Sequence, residues 1–285
     1  MALESVKNIL EMANRANTSV ISFICIDYNM VYSVIKTAEK TNTPALVMLL
    51  PEHAEQNSVF HKKAFAEMVK ALAHDAKVPI GLHLDHSYEY GGIISAIQAG
   101  FSSVMIDGSM RPLEENIQLT KKVVETAHLL GACVEAELGQ IGLETGDSEK
   151  NEAQYTDAKS AEIFCKETGI DSLAISIGNA HGVYREEPHL DIKRLEEIHS
   201  LTNNIPLVLH GGSGIPDEQL KIAFKKGINK FNVGTEFLEE YYQALSAYTK
   251  LKEHDDGAFR MLDVPAFVQE KLQAYLEQKL KLSEF

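Results

Sequence analysis

Short runs that are apolar at nearly every position alternate along the chain with longer stretches in which apolar residues recur every three or four. The short runs are Val20–Ile26, Ala45–Leu50, Ile80–Leu84, Ser103–Ile106, Ala132–Glu137, Ser172–Ile177, Leu207–His210 and Lys230–Val233. Continuous apolar runs of this length read as parallel strands covered on both faces. Between them the period becomes helical. Met30–Lys40 puts Val31, Val34, Ile35 and Ala38 on one stripe, and His61–His74 repeats Phe65, Met68, Val69 and Leu72. Leu113–Leu130 follows Pro112, a residue suited to a first helical turn. Ala161–Thr168, Ile192–Leu201 and Glu218–Lys226 continue the series, the last behind Asp217 as a cap. Pro265–Leu282 predicts an additional C-terminal helix, suited to packing on the barrel or on another subunit. Eight strands alternating with helices predict an α/β fold, a (β/α)8 TIM barrel, as one domain over residues 1–285. Periodicity does not show closure, so an open doubly wound sheet is the alternative.

Charge narrows the partners. The 285 residues carry 27 Lys and Arg against 41 Asp and Glu, a formal charge of −14. This disfavours nucleic acid or an anionic membrane, which need a positive face, but leaves room for an anionic substrate in a local pocket. Cys25, Cys133 and Cys165 lie far apart in apolar stretches and read as reduced, buried thiols of a cytoplasmic protein. The first residues, Met1 to Lys7, start an amphipathic pattern rather than a basic-then-apolar signal. No apolar run approaches the roughly 18 residues of a spanning helix.

In a barrel the active site forms at the C-terminal ends of the strands. The third strand leads into His83-Leu84-Asp85-His86, with His83 and Asp85 on one face and His86 at the rim. The fourth is followed by Asp107-Gly108-Ser109. The fifth carries Glu135 and Glu137 on one face, the sixth leads to Asn179-Ala180-His181-Gly182, and the seventh to His210-Gly211-Gly212-Ser213-Gly214. The eighth runs into Asn232-Val233-Gly234-Thr235. Thus His86, His181 and His210 fall at the ends of three strands. Three imidazoles with an open position make a catalytic zinc arrangement; the alternative is three separately satisfied histidines, since only the barrel brings them together. Seven others (His53, His61, His74, His128, His189, His199 and His254) sit in helix or loop patterns and read as structural. The glycine-rich turns after the last two strands are where barrels bind phosphate; alone, they are also ordinary flexible turns. Asp85 either orients a histidine or moves a proton.

Together the segments His83–His86, Val104–Ser109, Val134–Gly139, Gly178–Tyr184, Leu209–Gly214 and Lys230–Glu236 resemble the zinc-dependent class II ketose-bisphosphate aldolases, fructose- and tagatose-bisphosphate aldolases among them. The likeness spans nearly the whole chain, in the family's order. It implies Zn2+ on His86, His181 and His210, one per subunit, and Asp85 as proton carrier. It implies a dihydroxyacetone phosphate site at Gly182, Gly211, Gly212, Ser213, Asn232, Val233, Gly234 and Thr235. Asp107 and Glu137 match carboxylates that take a displaced or second metal in some members. A monovalent cation, Na+ or K+, near Gly182 and Ser213 also occurs in the family. The implied reaction is reversible cleavage of a ketose (bis)phosphate to dihydroxyacetone phosphate and an aldehyde through a zinc-stabilised enediolate. Members are commonly homo-oligomers, dimers or tetramers.

The departures concern the other half of the substrate. Where members usually carry Phe-Asn this chain has Phe23-Ile24, and where they carry Ser or Thr it has Leu50-Pro51. Their Gly-Gly-x-Glu-Asp becomes Gly142-Leu143-Glu144-Thr145-Gly146-Asp147, which makes Glu144 the candidate loop base, or else a solvated carboxylate. Their Asp-Pro-Arg gives way to Gly257-Ala258-Phe259-Arg260. The pattern predicts an aldolase whose aldehyde is less polar or unphosphorylated. The competing readings are a metal-dependent hydrolase or isomerase, and a non-catalytic sugar-phosphate-binding homologue.

Overall fold

A computed structural model describes residues 3–51, 61–143, 155–182, 184, 186–253 and 260–285. The inner strands are β1 (Val20–Ile24), β2 (Ala45–Leu49), β3 (Ile80–Ser87), β4 (Ser103–Ile106), β5 (Cys133–Leu138), β7 (Ser172–Ile175), β9 (Leu207–Leu209) and β10 (Ile228–Val233). All pair in parallel, and β10 pairs with β1, so the sheet closes into the predicted barrel rather than the open alternative. Two short strands outside it, β6 (Gly142–Leu143) and β8 (Ala180–His181), form a parallel pair with Leu143 opposite His181.

The helices among the described residues are α1 (Val6–Ala16), α2 (Tyr28–Thr41), α3 (Lys62–Ala73), α4 (Tyr90–Ala99), α5 (Leu113–Leu129), α6 (Ala158–Thr168), α7 (Ile192–Leu201), α8 (Asp217–Lys225), α9 (Thr235–Leu251) and α10 (Val264–Leu280). None of them is long and apolar enough to cross a membrane. The hydrophobic pattern does not predict α4 or α9. Helix α4 opens on Gly91-Gly92, residues that weaken a helix. Helix α2 begins two residues before its expected start because the Asp27 carboxylate accepts from the Met30 N–H. Asp217 is no cap: Pro216 holds that position, and Asp217 lies in the first turn, where negative charge favours the helix dipole.

Helix α1 closes the N-terminal end of the barrel, with Val6, Ile9 and Leu10 packed on Val20, Leu46 and Cys133. Gly81 permits this approach, since a Cβ there would lie 2.5 Å from Leu46 Cδ2 and 2.8 Å from Val6 Cγ2. Above that plug Met105, Ala174 and Val208 form a small apolar cluster. The main core lies between strands and helices. Helix α10 packs on the barrel through Val268, Leu272, Leu276 and Leu280, and Tyr275 stacks on Phe237. Lys40 pairs with Glu277. Cys25 and Cys133 are buried, whereas Cys165 is only half-buried.

Candidate active site and metal centre

Strand alternation turns His83, Asp85, Glu135, Glu137, Lys230 and Asn232 inward, and all six are buried. His86 departs from alternation. The β3–β4 register shifts between Leu84 and Ser87, and His86 has φ 22°, a conformation that costs a non-glycine residue about 1–3 kcal/mol. This irregularity carries the strand to Ser87, past its expected end at Leu84, and swings the His86 ring to the rim. His181 arrives on β8, and His210 stands one residue beyond β9.

The three rings converge. Their centroids are separated by 4.8 Å (His86–His210), 5.2 Å (His86–His181) and 5.9 Å (His181–His210). His86 Nε2 and His210 Nδ1 lie 2.9 Å apart. The opposite nitrogens meet carboxylates: His86 Nδ1 is 3.0 Å from Asp107 Oδ2, and His210 Nε2 is 2.9 Å from Glu135 Oε1. Each carboxylate holds the proton on the outer nitrogen and leaves the inner one with its lone pair free, which is the usual support of a metal-binding imidazole. One donor nitrogen from each of His86, His181 and His210 lies within 4.8 Å of the others. The donor set fits a divalent cation such as zinc. His86, Asp107 and Glu137 form a second group of the same compactness.

Asp85 lies beside this centre. Asn232 Nδ2 donates to its Oδ1 at 3.2 Å, and His83 Nε2 is 3.8 Å from the same oxygen. Burial works against its charge, but His86, His83, His210 and Lys230 hold the carboxyl well below its ordinary range. Burial likewise opposes ionisation of Asp107, yet His86 and Ser109 bring it down to about 2. Glu137 goes the other way: burial and the neighbouring Asp107 charge raise it to about 8. Its Oε2 is buried without a hydrogen-bond partner.

Beneath the centre lies an ion pair whose members the sequence shows but whose pairing it does not. Lys230 Nζ is 2.9 Å from Glu135 Oε2 and 3.1 Å from Oε1, with both side chains sealed from solvent. Glu135 is held well below its usual range: burial opposes this, and Lys230, His83 and His210 overcome it. The signal available in the sequence is a lysine at an inward position of a buried strand, two residues before the inward Asn232.

The glycine turns flank the imidazoles. Gly211 has φ 63°, and a Cβ there would meet the Ala180 carbonyl oxygen at 2.1 Å; at Gly212 it would strike the Phe231 ring at 1.9 Å. Tyr184 fixes this turn by accepting from the Ala180 N–H at 2.6 Å and donating to the Gly211 carbonyl at 2.8 Å. Helix α9 starts at Thr235 beside the turn, so the positive end of a 17-residue helix adjoins the cradle. His86, His181, His210, Asp85, Asp107, Glu137, Gly182, Gly211, Gly212, Ser213, Asn232, Gly234 and Thr235 all line one cavity of about 500 Å3. Val233 does not line it; it is buried in the core at the end of β10. Glu144 lies outside the described residues, as do Gly257, Ala258 and Phe259.

These features are those of a barrel enzyme with a histidine cluster that fits a metal, beside glycine turns that suit an anion. A family model described as Fructose-bisphosphate aldolase class-II matches residues 4–284. The fructose-bisphosphate aldolase of Geobacillus stearothermophilus is 41% identical over 238 residues, 83% of this chain and 82% of that protein. That of Staphylococcus aureus is 39% identical over 238 residues, with the same coverage of 83% and 82%. Among solved structures, the YdjI aldolase from Escherichia coli K12 shares the fold with a TM-score of 0.85 at 32% identity, covering 99% of this chain and 97% of that one. The chain belongs to the class II fructose-bisphosphate aldolase family. It is a metal-dependent aldolase, a carbon–carbon lyase acting on ketose phosphates.

Proposed function

We propose that the enzyme holds one Zn2+ per subunit on His86, His181 and His210 and reversibly cleaves a ketose phosphate to dihydroxyacetone phosphate and an aldehyde. The observation that carries this is the convergence of three imidazoles, two of them supported by carboxylates, beside Asp85 and the glycine cradle. The relatives named fructose-bisphosphate aldolase support a phosphorylated ketose as substrate.

The backbone N–H groups of Gly211–Ser213 and the start of α9, with Gly182, Asn232, Gly234 and Thr235, anchor the triose phosphate and orient its carbonyl; Val233, buried in the core, is not part of this set. A metal bound by the imidazoles supplies a Lewis acid for the oxygen on which negative charge develops. Asp85 takes the proton from the hydroxyl on the aldehyde side. The carbon–carbon bond breaks, that carbon becomes the aldehyde, and the electron pair passes to the triose half. A second proton then reaches the triose carbon, and Glu144 is our candidate for its carrier. On condensation both transfers reverse. Asp107 and Glu137 offer a second metal position, and a Na+ or K+ beside Gly182 and Ser213 belongs to the same reading.

We read residues 1–285 as one aldolase domain, placed in the cytoplasm, with no nucleic-acid or membrane partner. A homo-oligomer, dimer or tetramer, is supported by large apolar side chains left exposed near the C-terminal helices, among them Tyr242 at 67% and Leu262 at 73%. The functional test is elemental analysis of the purified protein alongside triose phosphate release from ketose phosphates. One zinc per chain, lost in His181→Ala together with chelator-sensitive cleavage, is expected. Cleavage that survives loss of all metal contradicts the proposal.

A further inference from the structure

We infer that the aldehyde half handled by this enzyme carries no phosphate and is held through its carbon chain, so that the sugar cleaved is a ketose 1-phosphate rather than a bisphosphate. This rests on the reading that the triose phosphate occupies the glycine cradle.

The ring order fixes where the aldehyde lies. The cradle belongs to the ends of β9 and β10, and in the closed order β1-β10-β9-β7-β5-β4-β3-β2 the strands opposite them are β3 and β4. A substrate anchored in the cradle and reaching across the imidazoles lays its far half against the ends of β2, β3 and β4. That wall is made by Leu50, Tyr88 and Met110, with Met48 below. Tyr88 is 50% exposed and Met110 75% exposed, so apolar surface is presented at the mouth of a cavity whose floor is charged. Scattered exposed apolar residues are ordinary; a contiguous set lining a pocket marks a binding surface.

Electrostatics on this side also disfavours a second phosphate. Among the described lining residues, the ionisable side chains on this side are Asp107, which carries negative charge, and Glu137, whose carboxyl is raised and holds its proton near neutral pH. Among the described lining residues there is no Lys or Arg. Lys230 lies sealed beneath and is bound to Glu135. A phosphate dianion on this wall loses water, gains aliphatic contacts in exchange and faces like charge. An aldehyde chain loses little solvation and gains about two- to fourfold in kcat/KM per methylene buried.

The test uses the zinc-loaded, full-length enzyme and compares kcat/KM for the ketohexose 1-phosphates with the matching 1,6-bisphosphates. Condensation of dihydroxyacetone phosphate with propanal, butanal and pentanal is followed alongside. The best 1-phosphate is expected to exceed its bisphosphate by about tenfold or more, and condensation to improve with chain length. Met110→Arg is expected to shift the ratio toward the bisphosphate by about tenfold or more, because it places a cation where the aldehyde's phosphate would lie. A wild-type enzyme that cleaves the bisphosphate as well as, or better than, the 1-phosphate overturns the inference. Metal-dependent hydrogen exchange on dihydroxyacetone phosphate alone separates the two failures. If exchange persists while the bisphosphate is preferred, only the aldehyde assignment falls. If exchange and triose phosphate binding are both absent, the donor-site reading falls with it.

Discussion

Replacing Lys230 with Met is the sharpest perturbation of the buried charges under the active site. At 2.9 Å from Glu135 Oε2, the gross attraction at an effective dielectric near 20 is about 6 kcal/mol. Most of it offsets the desolvation of two sealed charges, so the pair itself is not a large net stabiliser. Breaking it is another matter. Lys230→Met leaves a buried carboxylate with the His210 Nε2–H at 2.9 Å and only the more distant His83 and Ser172 besides, a change worth about 3–5 kcal/mol of destabilisation. For a chain of this size that is a fall in Tm of about 6–10 °C. The double variant Lys230→Met, Glu135→Leu removes both charges and is expected to recover most of the loss. It also strips His210 Nε2 of its acceptor, so metal affinity stays about 10- to 100-fold below wild type. Calorimetry reads the first effect, and competition against a chelating dye reads the second. A single variant as stable as wild type, or a double variant that regains stability and binds metal normally, refutes the reasoning.

Asp85→Asn is expected to lower kcat by about 10²–10⁴-fold while the zinc content stays at one per chain, checked by elemental analysis of the assayed sample. Gly212→Ala drives a Cβ into the Phe231 ring and reshapes the cradle; calorimetric titration is expected to show triose phosphate affinity falling about tenfold or more. Glu236 joins α9 to α10, accepting from Tyr275 Oη at 2.9 Å, from the Gly214 N–H at 2.8 Å and from Lys279 Nζ at 2.6 Å. Burial opposes its charge, but these partners hold its carboxyl below 4.5. Its stabilising contribution is therefore complete above the unfolded value and disappears as pH falls through the folded one. The Tm difference between wild type and Glu236→Gln should shrink below pH 4.5; a difference that grows on acidification contradicts the sign.

The strands are legible in the sequence because burial on both faces leaves most of them short apolar runs, and their alternation with helices makes the closed barrel the simplest outcome. The three rim histidines, Asp85 and the glycine turns follow from where those strands end. The rest depends on contacts between distant segments. Nothing in the neighbourhood of Glu135 announces Lys230, 95 positions away, as its partner. The positive φ of His86 and the register shift beside it are properties of packing between β3 and β4. Helix α9, whose N-terminus adjoins the cradle, is obscured by its mixture of aromatic, acidic and small residues. The apolar aldehyde wall is different: Leu50 stands out as a departure from the family pattern, but the opposition of the wall to the cradle requires the barrel.

Activation of dihydroxyacetone phosphate by the metal centre shows most plainly as hydrogen exchange at the triose carbon in heavy water, followed by NMR without any aldehyde present. Exchange is expected with the zinc-loaded enzyme, with loss on chelation, return on adding zinc, and absence in His181→Ala. Exchange at the same rate in chelated and zinc-loaded protein contradicts activation by the metal.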